Sequence, residues 1–222
     1  MRSVRVKVCG LTREEDLAVA VTAGADAVGF LVGIPSSPRN LTLERAKTLL
    51  KQVPVFVDSV VVTAPKSIEW LLEVCKMLKP SAIQIHGKEQ LDSSEIHETI
   101  SSTRLIKTVY VTEEIFNEKV INDLKIFDAV LMDSFSRGQY GGTGKVHDWT
   151  LSKQIRDTVA PVPVILAGGL KPENVKEAVL AVEPYAVDVA SGVEANPGVK
   201  DHKKVRAFIE NAKQIKLHNN KW

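Results

Sequence analysis

A short apolar run, or an apolar–polar alternation, followed by a stretch of helical periodicity recurs along the whole chain at a spacing of roughly 28 residues, as successive βα units would give. The strands read as Val4–Val8, Ala25–Val32, Val53–Val61, Ala82–His86, Arg104–Val111, Phe127–Met132, Val162–Leu166 and Ala186–Ala190. Helices fit near Thr12–Ala23, Leu43–Lys51, Pro65–Leu78, Gln90–Ile100, Thr112–Leu124, Trp149–Val159, Pro172–Val182 and Asp201–Lys216. Thr12-Arg13-Glu14-Glu15 reads as a capping box, Pro65 and Pro172 suit a first helical turn, and Asp201 suits an N-cap. No composition break or long linker interrupts the series. An eightfold β-then-α order fits either an open doubly wound sheet or a closed barrel, and the count of eight favours the barrel. The expectation is an α/β chain folded as a single-domain (β/α)8 TIM barrel over residues 1–222. A dinucleotide-binding sheet is disfavoured because Cys9-Gly10-Leu11-Thr12, and not Gly-x-Gly-x-x-Gly, follows the first strand.

Charge and cysteine content narrow the function. The 29 Lys and Arg against 27 Asp and Glu leave a net charge of +2, with no basic block to neutralise a row of phosphates, so nucleic acid is not expected as a partner. The longest uncharged apolar stretch, Ala27 to Pro35, falls far short of the ~20 residues that span a bilayer, so no membrane partner is expected. Arg2, Arg5 and Lys7 alternate with valines where a secretion signal would place a basic segment and an apolar core. The two cysteines, Cys9 and Cys75, build neither a disulfide framework nor a zinc site, and a cytoplasmic location is expected.

In the first strand Val4, Val6 and Val8 share one face and Arg5, Lys7 and Cys9 the other. The valines should meet the helices, which turns Lys7 and Cys9 toward the barrel axis, with Cys9 at the strand's carboxyl end, where barrels place their chemistry. A helix amino terminus and a lysine would favour thiolate, lowering the pKa from about 8.5 and fitting Cys9 for base or nucleophile. The alternative is a small buried space-filler. Asp133 ends the sixth strand at the same rim, as a general acid with a pKa raised by burial or as a cap of the following loop. His86, ending the fourth strand with Gln84 beside it, suits substrate contact or a rim hydrogen bond.

Glycine-rich turns gather in the later half, at Gly141-Gly142-Thr143-Gly144, Ala167-Gly168-Gly169-Leu170 and Ala190-Ser191-Gly192-Val193. The last two follow consecutive strands beside helix amino termini, where many barrels hold a phosphate on backbone N–H groups. Arg39, after the second strand, offers a planar fork for a carboxylate or a second phosphate, or else a solvated surface charge.

These residues resemble the phosphoribosylanthranilate isomerase family of tryptophan biosynthesis. The likeness is carried by Lys7-Val8-Cys9-Gly10-Leu11-Thr12, Gly24-Ala25-Asp26-Ala27-Val28-Gly29-Phe30, Ser37-Pro38-Arg39, Gln84-Ile85-His86-Gly87 and Leu131-Met132-Asp133. It continues through Gly141-Gly142-Thr143-Gly144 with Asp148-Trp149, Leu166-Ala167-Gly168-Gly169-Leu170, and Ser191-Gly192-Val193-Glu194. His147 departs from the family, which usually has phenylalanine there. The resemblance implies an aldose–ketose isomerase that converts N-(5-phosphoribosyl)anthranilate to 1-(2-carboxyphenylamino)-1-deoxyribulose 5-phosphate without redox cofactor or metal. It implies Asp133 as acid, Cys9 as base, Arg39 on the anthranilate carboxylate, and Gly141, Gly142, Gly168, Gly169, Ser191 and Gly192 in substrate-binding turns, with His86 as a further rim contact. Two rivals stand beside it, the related isomerase of histidine biosynthesis, which uses an aspartate pair and two phosphate sites, and a non-catalytic phosphosugar-binding barrel. The mixed charge of every helix leaves monomer and homodimer as open alternatives.

Overall fold

The computed structural model describes residues 1–87, 91–100, 102–134 and 148–218. Gly141, Gly142 and His147 lie outside the described residues, as does the expected helix start at Gln90. Among the described residues eight parallel strands form the barrel, and the two-residue strand Asn40–Leu41 is a ninth in the same sheet: β1 (Arg5–Val8), β2 (Ala27–Val32), β3 (Asp58–Thr63), β4 (Ala82–Ile85), β5 (Arg104–Tyr110), β6 (Ala129–Asp133), β7 (Val164–Leu166) and β8 (Ala186–Val189). Each pairs with the next, and β1 pairs with both β2 and β8, setting Asp188 opposite Lys7 and Lys7 opposite Ala27. That double pairing closes the barrel. The helices are α1 (Glu14–Thr22), α2 (Leu43–Leu50), α3 (Ile68–Leu78), α4 (Ser93–Thr99), α5 (Glu118–Leu124), α6 (Trp149–Val159), α7 (Val175–Val182) and α8 (His202–Gln214). An antiparallel pair, Arg2–Ser3 with Lys216–Leu217, joins the two ends of the chain. No helix among the described residues is long and apolar enough to cross a membrane.

The period-2 alternation sorts side chains as expected. Val4, Val6 and Val8 are buried in the layer between barrel and helices, together with Leu17 and Ala20 of α1 and Phe208 and Ile209 of α8. Inside the barrel, Val60, Ala82, Ile106, Ala129, Leu131, Ile165 and Ala186 form a separate apolar floor. Above it lies a buried polar layer of Lys7, Gln84, Thr108 and Asp188, and above that the carboxyl rim.

Several local expectations need correction. The third strand begins at Asp58, not Val53, because Pro54 removes a donor and Phe56 adopts φ +73°, which ends extended backbone. Thr12 does not cap α1; its hydroxyl donates to the Gly198 carbonyl at 2.6 Å, while Glu14 accepts from Arg45. Pro65 and Pro172 stand outside their helices: α3 starts after Ser67, whose side chain accepts the Trp70 N–H, and α7 starts after Asn174. The segment read as one helix over Thr112–Leu124 divides at Asn117 into a 3-10 turn, Glu113–Phe116, and α5, because the Asn117 side chain caps the second piece. Asp201 caps α8 as expected, accepting from Lys203 and Lys204.

Candidate active site

The carboxyl rim encloses a cleft of about 80 Å³ lined by Cys9, Arg39, His86 and Asp133 and by the turns holding Gly168, Gly169, Ser191 and Gly192. Each side chain reaches it by strand register. Cys9 follows β1 and is 5 % exposed, its backbone N–H donating to the Val189 carbonyl at 2.8 Å. Gly29 of β2 lies against it so closely that a Cβ there would come 2.7 Å from Sγ. Asp133 ends β6 and His86 follows β4, both buried. The ring of Tyr110, ending β5, meets His86 edge-on, with centroids 6.1 Å apart.

Beneath the thiol, the Lys7 ammonium donates to Asp188 Oδ1 and to Gln84 Oε1, each at 3.0 Å, and Gln84 Nε2 donates to Thr108 Oγ1 at 3.1 Å. Burial pulls the Lys7 ammonium down, but Asp188 and then Cys9 outweigh it and hold the lysine above its ordinary value. For Cys9 the balance differs from the sequence expectation. Burial pushes its thiol up, Lys7 pulls it down, and Asp188 offsets Lys7, so the thiol stays above its ordinary value. A lysine already paired with a carboxylate supplies too little free charge to overcome desolvation. Burial likewise raises Asp133 to about 6, despite the Ser134 N–H that donates to its Oδ1 at 2.7 Å. Burial, reinforced by Lys7, lowers His86 to about 4, leaving a neutral imidazole at pH 7.

Arg39 is not a solvated surface arginine. The segment before it leaves β2, and Asn40–Leu41 immediately after it returns to pair with β2 in parallel, so the arginine is held at the rim. Its Nε and Nη2 donate to the two oxygens of Glu194 at 2.8 and 2.6 Å, and its side chain is 12 % exposed. Glu194 also accepts from the buried Lys200 ammonium at 2.9 Å. A small hairpin, Glu194–Asn196 with Val199–Lys200, puts these two residues opposite each other after β8. Burial pushes Glu194 up, but Arg39 and Lys200 outweigh it and hold the carboxyl below its ordinary value. One edge of the fork expected for a ligand is therefore occupied from within.

The two glycine turns have steric reasons. Gly168 has φ +80° and Gly169 φ +66°, a left-handed pair that favours glycine at both positions. A Cβ on Gly168 would sit 2.2 Å from Ser134 Oγ and 2.9 Å from Asp133 Oδ1. At Gly192 a Cβ would lie 1.9 Å from the Leu170 carbonyl oxygen, so the β8 turn can approach the backbone of the β7 turn only because Gly192 carries no side chain. Asn174 braces the first turn, donating to Gly169 O at 3.0 Å and accepting from Lys171 N at 2.8 Å.

The sequence reading left Thr108 without a role and gave Asp188, Gly29 and Glu194 none beyond a place in a motif. Asp188 had a visible signal, since it is the one polar residue of the strand Ala186–Val189; Thr108, in a strand that also carries Arg104 and Lys107, had a weaker one. Glu194 had none, since its meeting with Arg39 spans 155 residues of sequence and depends on a two-strand hairpin.

Closed barrel and rim together define an α/β-barrel enzyme of acid–base type, with a thiol and a carboxyl group facing one cleft. The family model described as N-(5'phosphoribosyl)anthranilate (PRA) isomerase matches residues 6–211. An N-(5'-phosphoribosyl)anthranilate isomerase of Methanocella arvoryzae is 44 % identical over 214 residues, covering 96 % of this chain and 99 % of the relative. The crystal structure of phosphoribosyl anthranilate isomerase from Thermotoga maritima superposes with a TM-score of 0.84 at 40 % identity, covering 96 % of this chain and all, 100 %, of the other. A crystal structure of phosphoribosyl anthranilate isomerase in complex with reduced 1-(o-carboxyphenylamino)-1-deoxyribulose 5-phosphate gives a TM-score of 0.80 at 39 % identity, covering 96 % and 100 %. The chain belongs to the N-(5'-phosphoribosyl)anthranilate isomerase family.

Proposed function

We infer that this chain isomerises N-(5-phosphoribosyl)anthranilate to 1-(2-carboxyphenylamino)-1-deoxyribulose 5-phosphate, the family's step in tryptophan biosynthesis, with Asp133 as acid and Cys9 as base. The supporting observation is the pairing of a buried carboxyl group raised to about 6 with a buried thiol in one cleft flanked by two glycine turns. Asp133 donates its proton to the furanose ring oxygen as the C1–O bond breaks, and the anthranilate nitrogen lone pair forms the Schiff base. Cys9, as thiolate, takes the proton from C2, and the electron pair of that C–H bond moves to give the enolamine, which tautomerises to the ketose. The charge of Lys7, beneath the thiol, stabilises the thiolate while it lasts.

The substrate's phosphate fits the Gly168-Gly169 and Ser191-Gly192 turns. Among the described residues, no acceptor takes the N–H groups of Gly168 or Gly169. Arg39, held on one edge by Glu194, presents its remaining edge to the anthranilate carboxylate, and neutral His86 contributes a polar wall. Gly141 and Gly142 complete this set from outside the described residues. Binding at phosphate and carboxylate fixes both ends of the substrate, so remote contacts align C1 and C2 between acid and base. We place the reaction in the cytoplasm, in keeping with the free thiols of Cys9 and Cys75, and assign it to one domain spanning the whole chain.

The test generates phosphoribosylanthranilate in place and follows loss of its fluorescence, with the parallel histidine-pathway substrate as control. Turnover of the first substrate alone supports the reading. Binding without turnover would reduce the chain to a phosphosugar-binding barrel, and turnover of the histidine-pathway substrate alone would overturn the substrate assignment.

A further inference from the structure

Glu194 creates a difficulty for the fork it holds. Its buried carboxylate accepts from both Nε and Nη2 of Arg39. One guanidinium bonded to one carboxylate carries no net charge, and a carboxylate ligand on the free edge would stand beside a second negative group. Two carboxylates sharing one cation in a place of low dielectric repel each other. A carboxylate receptor built on Arg39 therefore needs a further cation.

Lys200 stands where that cation is required. Its side chain is 0 % exposed, and its Nζ donates to Glu194 Oε1 at 2.9 Å and to the Ala190 carbonyl at 3.0 Å. Arg39 and Ala190 line the cleft, and the ammonium sits behind both. Burial pulls its pKa below the ordinary value, and Glu194 opposes the fall. Two contacts pin the hairpin that carries it: Asp16 accepts the Lys200 backbone N–H at 3.0 Å, and the Thr12 hydroxyl donates to the Gly198 carbonyl at 2.6 Å. The stem of Arg39 rests on Gly10, where a Cβ would come 2.5 Å from its Cδ, so the fork adjoins the residue after Cys9. The Ala190 carbonyl immediately precedes the Ser191-Gly192 turn, so the same ammonium also fixes the plane of the peptide that enters that turn.

We propose that Lys200 is a positioning residue for the anionic substrate: its ammonium gives the Arg39–Glu194 fork the net positive charge that takes up the anthranilate carboxylate, and it ties that fork to the turn assigned to the phosphate. With the ligand in place, two carboxylates face two cations. The nearby Lys7–Asp188 pair, at 3.0 Å, is balanced within itself and lends the fork no net charge. Lys200 touches no substrate atom and acts through Glu194, Arg39 and the Ala190 carbonyl. The assignment rests on the isomerase reading for the identity of the anion, and it adds a residue to which that reading gives no part.

The experiment titrates the full chain calorimetrically with anthranilate and with 2-aminobenzamide, its uncharged isostere, and measures turnover on the same samples. Wild type should prefer the carboxylate by roughly tenfold or more, the difference between a charged and a neutral hydrogen-bond partner. Lys200→Met keeps an apolar stem and should bring that preference close to unity, with KM raised more than kcat is lowered. The preference is a ratio of two affinities, so it does not depend on the share of the chain that folds. Lys200→Met combined with Glu194→Gln removes one charge of each sign and leaves Arg39 positive, so the preference should return in part. A lysine that merely supports the hairpin predicts the reverse, an unchanged preference in the single variant and weaker binding of both ligands in the double. A wild type without the preference, or a Lys200→Met variant that keeps it, overturns the proposal. A wild type with the preference and its charge dependence, but without turnover, would overturn the isomerase reading and uphold the role of Lys200.

Discussion

Lys7 on β1 and Asp188 on β8 are register partners across the seam that closes the barrel, and their side chains form an ion pair of 3.0 Å under the Cys9 thiol. The pair therefore serves the fold and the site together. Lys7→Met leaves Asp188 buried without a counter-charge and is expected to cost about 3–5 kcal/mol of stability. Lys7→Met combined with Asp188→Leu removes both charges, and because a buried pair replaced by apolar residues is often neutral, much of that stability should return. Turnover should not return with it, since the thiolate loses the charge of Lys7, the cation that acts on it most strongly. Denaturant unfolding and kcat measured on the single and double variants separate the two roles. A double variant with normal kcat would remove Lys7 from the mechanism.

The directions at Asp133 and Cys9 set the pH profile. The active form needs Asp133 protonated and Cys9 ionised, yet Asp133 sits at about 6 and the thiol is raised, so the acid releases its proton first. The competent form is a minor fraction throughout and is constant between the two values. Below pH 6 both groups are protonated and kcat/KM falls with the thiolate; above the thiol's value both are ionised and it falls for want of the acid. The expected profile is a plateau from about pH 6 to beyond the ordinary thiol value of about 8.5. Alkylation of Cys9 should accelerate only on the alkaline side. Rapid alkylation at pH 6 would contradict the raised thiol. Cys9→Ser and Asp133→Asn should each lower kcat by roughly 10²-fold or more, as removal of a positioned base or acid does.

Arg39 and Glu194 form a two-bond fork at 2.8 and 2.6 Å, which fixes the guanidinium plane. Glu194→Gln weakens one of those bonds and leaves Lys200 with the Ala190 carbonyl but without its ion-pair partner, so the arginine loses its orientation but keeps its charge. KM should rise several-fold with kcat nearly unchanged, whereas Arg39→Ala raises KM further. Arg39→Lys should resemble Arg39→Ala, because an ammonium cannot make both contacts. Steady-state kinetics on the three variants check the order.

Much of this was legible in sequence because a barrel strand obeys a period of two. Once Val4, Val6 and Val8 are assigned to the helices, Lys7 and Cys9 must face inward, and the same count brings Asp133 to the rim. The period fails where apolar residues do not mark a strand. Val53, Val55 and Val57 read as β, but Pro54 and the positive φ of Phe56 turn them into a projecting loop. Pairings made by closure were equally hidden. Nothing near Lys7 in the sequence points to Asp188, 181 residues away, and Glu194 finds Arg39 only through its hairpin. The depressed thiol expected from a neighbouring lysine also failed, because burial outweighs Lys7, whose charge is shared with Asp188.

Asp16 of α1 ties that hairpin to the barrel, and its loss should be felt at a distance. The carboxylate is 0 % exposed, accepts the Lys200 backbone N–H at 3.0 Å, meets His202 Nε2 at 2.9 Å, and takes two bonds from Arg13 at 3.2 and 3.1 Å. Burial pushes its pKa up, but these donors prevail and hold it below the ordinary 3.8. Asp16→Ala strands the Lys200 N–H and is expected to cost about 2–3 kcal/mol. Because the folded-state value is depressed, the carboxylate's contribution is fully present above the unfolded value of about 3.9 and is lost as pH falls through the folded one. The stability gap between wild type and Asp16→Ala should therefore be constant from pH 7 to about 5 and narrow below pH 4. Lys200 also leads to Glu194 and Arg39, so the variant should show a raised KM at pH 7. Unfolding curves at several pH values test the first statement and kinetics the second; a gap that widens on acidification would mean that Asp16 is not ionised in the folded state.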